Sequence, residues 1–165
     1  MRSALLPRLK TRLDELLVDI DHLDAEYDTD QLAQIELALA NFRAANSGML
    51  DAATPHLWAY YKDTVNEYGP ELAAEYGVPL LDPATDIWSH VSIEMAPSVV
   101  LGSSQFSPAP VYLSFEGEVS WEPEHGLQLV VEQGLRVCKV GPFDGHPTLA
   151  HAHGDPSLLA AIYRR

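Results

Sequence analysis

The sequence predicts an α+β fold, with N-terminal helices packed on a C-terminal antiparallel β-sheet and a short C-terminal helix. Apolar residues recur every three or four positions through much of residues 1–79, which is the period of an amphipathic helix. In residues 80–165 the period is mainly two, which is typical of strands that bury one face. We expect one domain of 165 residues, because neither half alone would bury a generous core.

Three helices account for the first half. The first carries a stripe of apolar side chains through residues 5–23. The second follows Asp28-Thr29, whose short polar side chains can cap free backbone N–H groups. The third begins at Thr54-Pro55 and stops at Gly69-Pro70, with a short helical turn beyond it that ends at Tyr76.

The clearest strand is predicted over residues 111–121, where apolar and polar side chains alternate strictly. The apolar set should face the core and the polar set the solvent, as in an antiparallel strand with one wet face. The polar set consists of Tyr112, Ser114, Glu116, Glu118 and Ser120. A shorter alternation over residues 87–93 predicts another strand.

A hairpin and a final helix complete the predicted meander. Residues 127–131 and 135–140 are predicted strands, and Glu132-Gln133-Gly134 between them supplies a glycine for a tight turn. Asp155-Pro156 is expected to cap a short helix that ends near Tyr163.

The charge of the chain limits the classes of partner. Ten Lys and Arg residues against 24 Asp and Glu residues give a formal net charge of −14. Such a field repels nucleic acids and anionic membranes, and it attracts basic proteins or cations. Since Cys138 is the one cysteine and neither a signal peptide nor a membrane span is predicted, we expect a cytoplasmic protein.

The acidic charge is concentrated between Asp14 and Asp30, where eight carboxylates occur without a Lys or Arg. This run is either a solvated helix face or a docking face for a basic protein. It does not fit a calcium-binding EF-hand, because a loop counted from Asp19 has Asp24 where the turn needs glycine and Asp30 where it needs glutamate.

Metal binding and catalysis have weaker signals. His146, His151 and His153 could contribute to a transition-metal site, but no further ligand stands at a diagnostic spacing. Cys138 lies in a predicted strand and is interpreted as a buried structural thiol. No glycine-rich phosphate loop or Gly-x-Ser-x-Gly elbow is found, so no cofactor is predicted.

One block of the C-terminal half resembles a known family. Its segments are Val111-Tyr112-Leu113-Ser114-Phe115-Glu116, Trp121-Glu122-Pro123-Glu124-His125-Gly126-Leu127-Gln128 and Lys139-Val140-Gly141-Pro142-Phe143-Asp144-Gly145-His146. They are similar to a bacterial domain family of unknown function with a Trp-Glu-x-Glu-His-Gly-Leu segment. The resemblance implies no mechanism; proteins of this kind look similar to small bacterial accessory proteins, including toxin-immunity candidates.

The same block supplies the candidate site. Pro123 cannot donate to a strand ladder, so we expect the preceding strand to end there and a tight connection to follow. A turn near Asp144 should lie beside that connection. His125 would then pair with Asp144, or Glu124 with His146, unless hydrogen bonds merely lock the two turns together. The candidate binding residues are Trp121, Glu122, Glu124, His125, Asp144 and His146.

Three functions are compatible with these observations. The first is a non-catalytic accessory protein of the immunity type that binds a basic protein partner through acidic and aromatic surface. The second is a metal-dependent enzyme or metal-binding protein centred on the Glu124-His125 and Asp144-His146 turns. The third is a homodimer formed through the apolar stripe of the first helix.

Overall fold

The computed structural model describes residues 3–17, 27–102 and 110–165 and confirms the α+β class. Its helices are α1 (Leu6–Leu16), α2 (Thr29–Ala44), α3 (Gly48–Asp51), α4 (Thr54–Glu75) and α5 (Leu149–His153), with 3₁₀ helices at Ile87–His90 and Pro156–Leu158. Its strands are β1 (Val91–Ser92), β2 (Ser98–Leu101), β3 (Val111–Val119), β4 (Glu122–Glu132) and β5 (Arg136–Gly141). None of the described helices is both long and apolar enough to cross a membrane.

The five strands form one antiparallel sheet. Strands β3, β4 and β5 form a meander. Both β1 and β2 pair with the edge of β3 that faces away from β4. The helices of the N-terminal half pack on one face of this sheet, where α2 contacts β3 and α4 contacts β5. The core between them includes Leu13, Ile35, Phe42, Leu57, Phe115, Trp121 and Leu129, all nearly inaccessible.

Local capping fixes the start of α2, as predicted. The Asp28 carboxylate accepts a hydrogen bond of 2.9 Å from the backbone N–H of Gln31, and the Gln31 side chain accepts one of 2.9 Å from the N–H of Asp28. This reciprocal capping box satisfies two N–H groups that the helix leaves free. The predicted stripe of the first helix is confirmed only to Leu17, since residues 18–26, with half of the acidic run, lie outside the described residues.

Helix α4 begins at Thr54 as predicted and bends at Gly69, which has a φ of 73°. Tyr68 and Tyr76 would stand about 12 Å apart along a straight helix. The bend brings their ring centroids to 5.7 Å. The Thr54 hydroxyl does not cap the helix but accepts a hydrogen bond of 2.9 Å from the indole N–H of Trp88.

The strand predicted over residues 87–93 is wrong for most of its length. Ile87–His90 form a 3₁₀ helix, and only Val91 and Ser92 pair with β3. Ile87 and Trp88 are consecutive and both buried. A strand would send such neighbours to opposite faces, whereas a helical turn lets both reach the core.

The expected break at Pro123 is also wrong, because β4 begins at Glu122 and contains the proline. The reversal occurs at Ser120-Trp121, and Val119 pairs with Glu122. The next pair is Gly117 with Leu127, so residues 123–126 bulge opposite a single residue of β3. Pro123 is tolerated since the bulge takes it out of the regular ladder.

The outer face of the sheet is less wet than the alternation predicts. Glu116, Glu118 and Ser120 are exposed, but Tyr112 and Ser114 are buried. Tyr112 packs with Val130 and Cys138 in a second apolar cluster. Its ring centroid lies 6.2 Å from that of His151 in α5. Helix α5, which the sequence did not predict, covers this face. The final helix predicted after Asp155-Pro156 is only the short 3₁₀ helix Pro156–Leu158, which Asp155 caps.

A second bulge explains the position of the cysteine. Val130 pairs with Lys139 and Val131 with Val137, so Cys138 is an extra residue on β5. Val137 and Val140 therefore face the main core, while Cys138 and Lys139 both lie on the outer side. Cys138 is buried, as interpreted, and burial raises the pKa of its thiol to about 12.

The β4–β5 turn is formed by residues 133–135, one residue later than predicted, since Glu132 pairs with Arg136. Gly134 has a φ of 70°, which favours glycine. A Cβ atom there would lie 2.0 Å from the carbonyl oxygen of Ala38 and 2.7 Å from the backbone nitrogen of Phe42. The turn thus contacts the backbone of α2 directly, and the Asn41 amide donates to the carbonyl of Gln133 at 3.1 Å.

This contact makes Gly134→Ala costly. We expect the free energy of unfolding to fall by about 3 kcal/mol, because the left-handed conformation and the displaced helix backbone both contribute. Gly145→Ala is the matched control: its φ is 77°, but nothing lies within 4 Å of the added Cβ. It should cost only about 1 kcal/mol. Urea unfolding measures both, and equal losses would contradict the close approach to α2.

Candidate functional site

A groove of about 510 Å³ lies between α4, the bulged start of β4, the loop after β5 and the last described residues. We call it the acidic groove. It is lined by Tyr60, Asp63, Thr64, Glu67, Tyr68, Glu122, Glu124, His125, Pro142, Phe143, Asp144, Tyr163, Arg164 and Arg165.

The lining combines negative charge with aromatic rings. Its carboxylates are Asp63, Glu67, Glu122, Glu124 and Asp144. Its rings are Tyr60, Tyr68, Phe143 and Tyr163. The cations in the lining are Arg164 and Arg165, so carboxylates outnumber guanidinium groups by five to two. Such a surface favours a cationic ligand that can also stack on an aromatic ring.

Tyr60 ties the helix to the bulge. Its side chain is buried, and its hydroxyl donates a hydrogen bond of 2.8 Å to the carbonyl oxygen of Gly126. Burial and the charge of Glu122 both raise the pKa of Tyr60. Trp121 packs behind Tyr60 with ring centroids 5.9 Å apart. Tyr60 of α4 therefore contacts both the bulge of β4 and the core residue Trp121 beneath it.

Glu122 fixes the conformation of the bulge. One of its carboxylate oxygens accepts hydrogen bonds from the backbone N–H groups of Glu124, at 3.0 Å, and His125, at 3.3 Å. The Glu122 side chain is only 11 % exposed, so its charge acts through a medium less polarisable than water. That charge is the main cause of the raised pKa of Tyr68. Glu122 thus carries negative charge close to the tyrosine rings of α4.

The opposite wall depends on a buried lysine. The Lys139 side chain is 2 % exposed, and its ammonium donates to the Gln128 side chain at 2.9 Å, to the His146 carbonyl at 2.9 Å and to the Asp144 carboxylate. Gln128 in turn donates to the Ser114 hydroxyl at 2.9 Å. Each polar group of this network has a partner, as burial requires.

The network shifts the pKa of both charged members. Burial lowers the pKa of Lys139, and the hydrogen bond to Asp144 opposes that shift in part. Burial raises the pKa of Asp144, but hydrogen bonds from Lys139 and from the backbone N–H of His146 outweigh it, so the pKa lies below its ordinary value. The contact between Lys139 and Asp144 holds the loop after β5 against the sheet.

Four of the six residues predicted from the sequence line the groove: Glu122, Glu124, His125 and Asp144. The other two do not. Trp121 is fully buried beneath the groove, and its indole N–H has no hydrogen-bond partner among the described residues. His146 lies outside the lining, with its Nδ1 3.5 Å from Asp144 Oδ1.

The two turns meet, but not through the side-chain pairs that we expected. His125 Nδ1 lies 3.5 Å from a Glu122 oxygen, and His146 lies beside Asp144 of its own turn. The link between the turns is a backbone hydrogen bond of 3.1 Å from the Phe143 N–H to the His125 carbonyl. This is the alternative in which hydrogen bonds lock the two turns together.

The histidines near the C-terminus do not converge. His151 and His153 lie two residues apart in helix α5, where such neighbours point in different directions. His151 bonds to the Thr148 hydroxyl at 2.7 Å. Within residues 3–17, 27–102 and 110–165, no group of three or more His, Cys, Asp or Glu side chains is arranged to hold a metal ion.

A larger cavity, of about 800 Å³, lies between the start of α1, the start of α4 and residues 83–87. Its lining has two carboxylates and one aromatic ring, where the acidic groove has five carboxylates and four aromatic rings. Asp86 accepts hydrogen bonds from the Ser3 hydroxyl and from the backbone N–H of Trp88, while Thr54 accepts one from the Trp88 indole. The acidic groove is therefore the stronger candidate for a ligand site.

The fold and the groove define an α+β protein whose helical half and sheet together form an acidic, aromatic cleft. A family model described as "Domain of unknown function (DUF6985)" matches residues 9–147, and the chain belongs to that family. The match includes helices α2 to α4 as well as the sheet. The family resemblance therefore extends beyond the C-terminal half, to which the sequence motifs had confined it. Comparisons with curated proteins and with solved structures give no significant match.

The buried lysine is testable by Lys139→Met. The variant keeps the apolar stem but removes the ammonium donor from Gln128 Oε1, the Asp144 carboxylate and the His146 carbonyl, so the free energy of unfolding should fall by roughly 2 kcal/mol. Lys62→Met, at an exposed position on α4, is the control and should stay within about 0.5 kcal/mol of the wild type. Chemical denaturation measures both, and a neutral Lys139→Met would show that the network does not stabilise the fold.

Asp144 should make stability depend on acid pH. Because its pKa is lowered in the folded state, the unfolded chain binds more protons as pH falls, and folding loses stability. The contribution is complete above the unfolded pKa of about 3.9 and disappears as pH falls through the lower folded pKa. Urea unfolding from pH 7 to pH 2 should show the difference between wild type and Asp144→Asn shrinking in that window. A difference independent of pH would refute the assignment.

Proposed function

We propose that the protein is a cytoplasmic bacterial accessory protein of the immunity type, which binds a basic segment of a partner protein without catalysing a reaction. The acidic groove is the proposed binding site. The observation that carries this proposal is the clustering of five carboxylates and four aromatic rings around one cavity of about 510 Å³. Such a cavity is complementary to a positively charged side chain in both charge and ring contact.

Arginine fits this groove better than lysine. A guanidinium group is planar, donates to carboxylates through a rigid fork and stacks on aromatic faces. Glu122, Glu124 and Tyr68 line the same groove, and the charges of the two carboxylates raise the pKa of Tyr68. A guanidinium stacked on Tyr68 would lie within reach of these carboxylates. An ammonium group would gain the charge interaction without the planar stacking.

The walls of the groove are held before any ligand arrives. Glu122 fixes the bulge through two backbone N–H groups, and Lys139 fixes the loop that presents Phe143 and Asp144. A preformed site loses less conformational entropy on binding than a flexible one. This rigidity supports recognition of a partner.

The partners of the carboxylates favour binding over chemistry. Glu122 holds backbone amides, Asp144 holds the Lys139 ammonium, and Asp63 accepts a hydrogen bond of 2.9 Å from the Tyr163 hydroxyl. Carboxylates used in this way contribute structure and electric field. The net charge of −14 adds long-range attraction for a basic partner, which would accelerate association at low salt.

Fluorescence anisotropy with a labelled Gly-Tyr-Arg-Arg-Gly peptide at low ionic strength tests the proposal. Wild type should bind, and Glu67→Gln with Glu124→Gln should weaken binding by about tenfold, since two carboxylates of the groove are lost. The peptide Gly-Tyr-Gln-Gln-Gly should not bind.

The matched control is Glu36→Gln with Glu116→Gln, which removes the same charge from exposed positions outside the groove. It should change the affinity far less. If both double variants lose affinity equally, the peptide responds to net charge and not to the acidic groove, and the proposed site is wrong.

A further inference from the structure

The chain places two of its own arginines in the acidic groove. Residues 163–165 line it, and Arg165 Nη2 lies 3.8 Å from Glu67 Oε2 on α4. A basic stretch of the molecule is thus already in contact with the negative surface. This contact is an observation independent of the acidity of the groove, and it shows the kind of side chain that the surface accommodates.

Ile162 and Tyr163, at the start of this stretch, are anchored. The Val140 N–H donates a hydrogen bond of 2.9 Å to the Ile162 carbonyl, which attaches the stretch to the edge of β5. Tyr163 donates to Asp63 at 2.9 Å, and its ring lies against Gly141 and 5.9 Å from that of Tyr60. The tyrosine is half-buried. Its position is therefore fixed by backbone, hydroxyl and ring contacts together.

Arg164 and Arg165, which follow, are weakly held. Both Arg164 and Arg165 are exposed. In the pair between Arg165 and Glu67 the side chains are 58 % and 73 % exposed. An ion pair this open to solvent contributes little and is screened by salt. Arg164 and Arg165 can therefore leave the groove while Ile162 and Tyr163 stay in place.

We infer that Arg164 and Arg165 are a built-in competitor for the groove, which an arginine-bearing segment of the partner displaces. The inference rests on the proposed function, because it concerns the same site. Binding then replaces Arg164 and Arg165, the second of which pairs with Glu67, by the guanidinium groups of the partner in the same groove. The tyrosine anchor keeps the displaced arginines near the groove, so they compete at a high effective concentration and lower the affinity for basic segments that are only weakly complementary.

The test compares three forms of the full chain by anisotropy with the labelled Gly-Tyr-Arg-Arg-Gly peptide. Arg164→Ala with Arg165→Ala removes the competitor. Arg8→Ala with Arg43→Ala makes the same change in net charge at exposed positions outside the groove. We expect the first variant to bind roughly threefold to tenfold more tightly than wild type, the range for releasing two competing surface charges, and the second to gain clearly less.

Other outcomes separate the two ideas. Equal gains in both variants would mean that Arg164 and Arg165 act only through their contribution to the net charge, and weaker binding by Arg164→Ala with Arg165→Ala would mean that these arginines help to hold the peptide. Either result overturns the competitor while leaving the groove as a binding site. If no form binds the peptide, the proposed function fails and the competitor fails with it.

Discussion

The structure of the groove depends on one buried charge. The Lys139 ammonium lies within the fold and must find oxygen partners there, because an unpaired buried charge is very costly. It takes them from Gln128 on β4 and from Asp144 and the His146 carbonyl in the loop after β5. The loop is thereby fixed against the sheet, and Phe143 and Asp144 are presented as one wall of the groove. The need to pair the buried Lys139 ammonium thus determines the position of the loop after β5 and the shape of this wall of the groove.

The other wall follows from a bulge. Residues 123–126 have one residue of β3 opposite them, so they stand away from the ladder and carry Glu124 and His125 to the groove. Two side chains hold them there: the Glu122 carboxylate, which accepts from backbone N–H groups, and the Tyr60 hydroxyl, which donates to the Gly126 carbonyl. Since Tyr60 belongs to α4, the helix that supplies Asp63 and Glu67 is tied directly to the bulged strand. Binding groups from distant parts of the chain are brought together in this way.

Local signals predicted much of the fold. Asp28 and Gln31 form the capping box that starts α2, Gly69 interrupts α4, and the strict alternation after Val111 is the central strand. The failures have different causes. Ile87–His90 form a 3₁₀ helix that sends two consecutive side chains to the core, and a bulge at 123–126 admits Pro123 into β4, so a period of two misassigns both segments. The site was predicted only for its β4 and loop residues, because no pattern in the sequence shows that Asp63 and Glu67 lie opposite Glu122. Helical spacing places Asp63 and Glu67 on one face of α4 but does not show what that face contacts.

The central claim is that a basic segment binds in the acidic groove and not on the acidic run of residues 14–30. The most direct measurement is an NMR titration of the uniformly labelled protein with the Gly-Tyr-Arg-Arg-Gly peptide, following every backbone amide. We expect the largest shifts at Glu124, His125 and Asp144, with little change along α2. Shifts concentrated in residues 14–30, or no shifts at any peptide concentration, would contradict the claim.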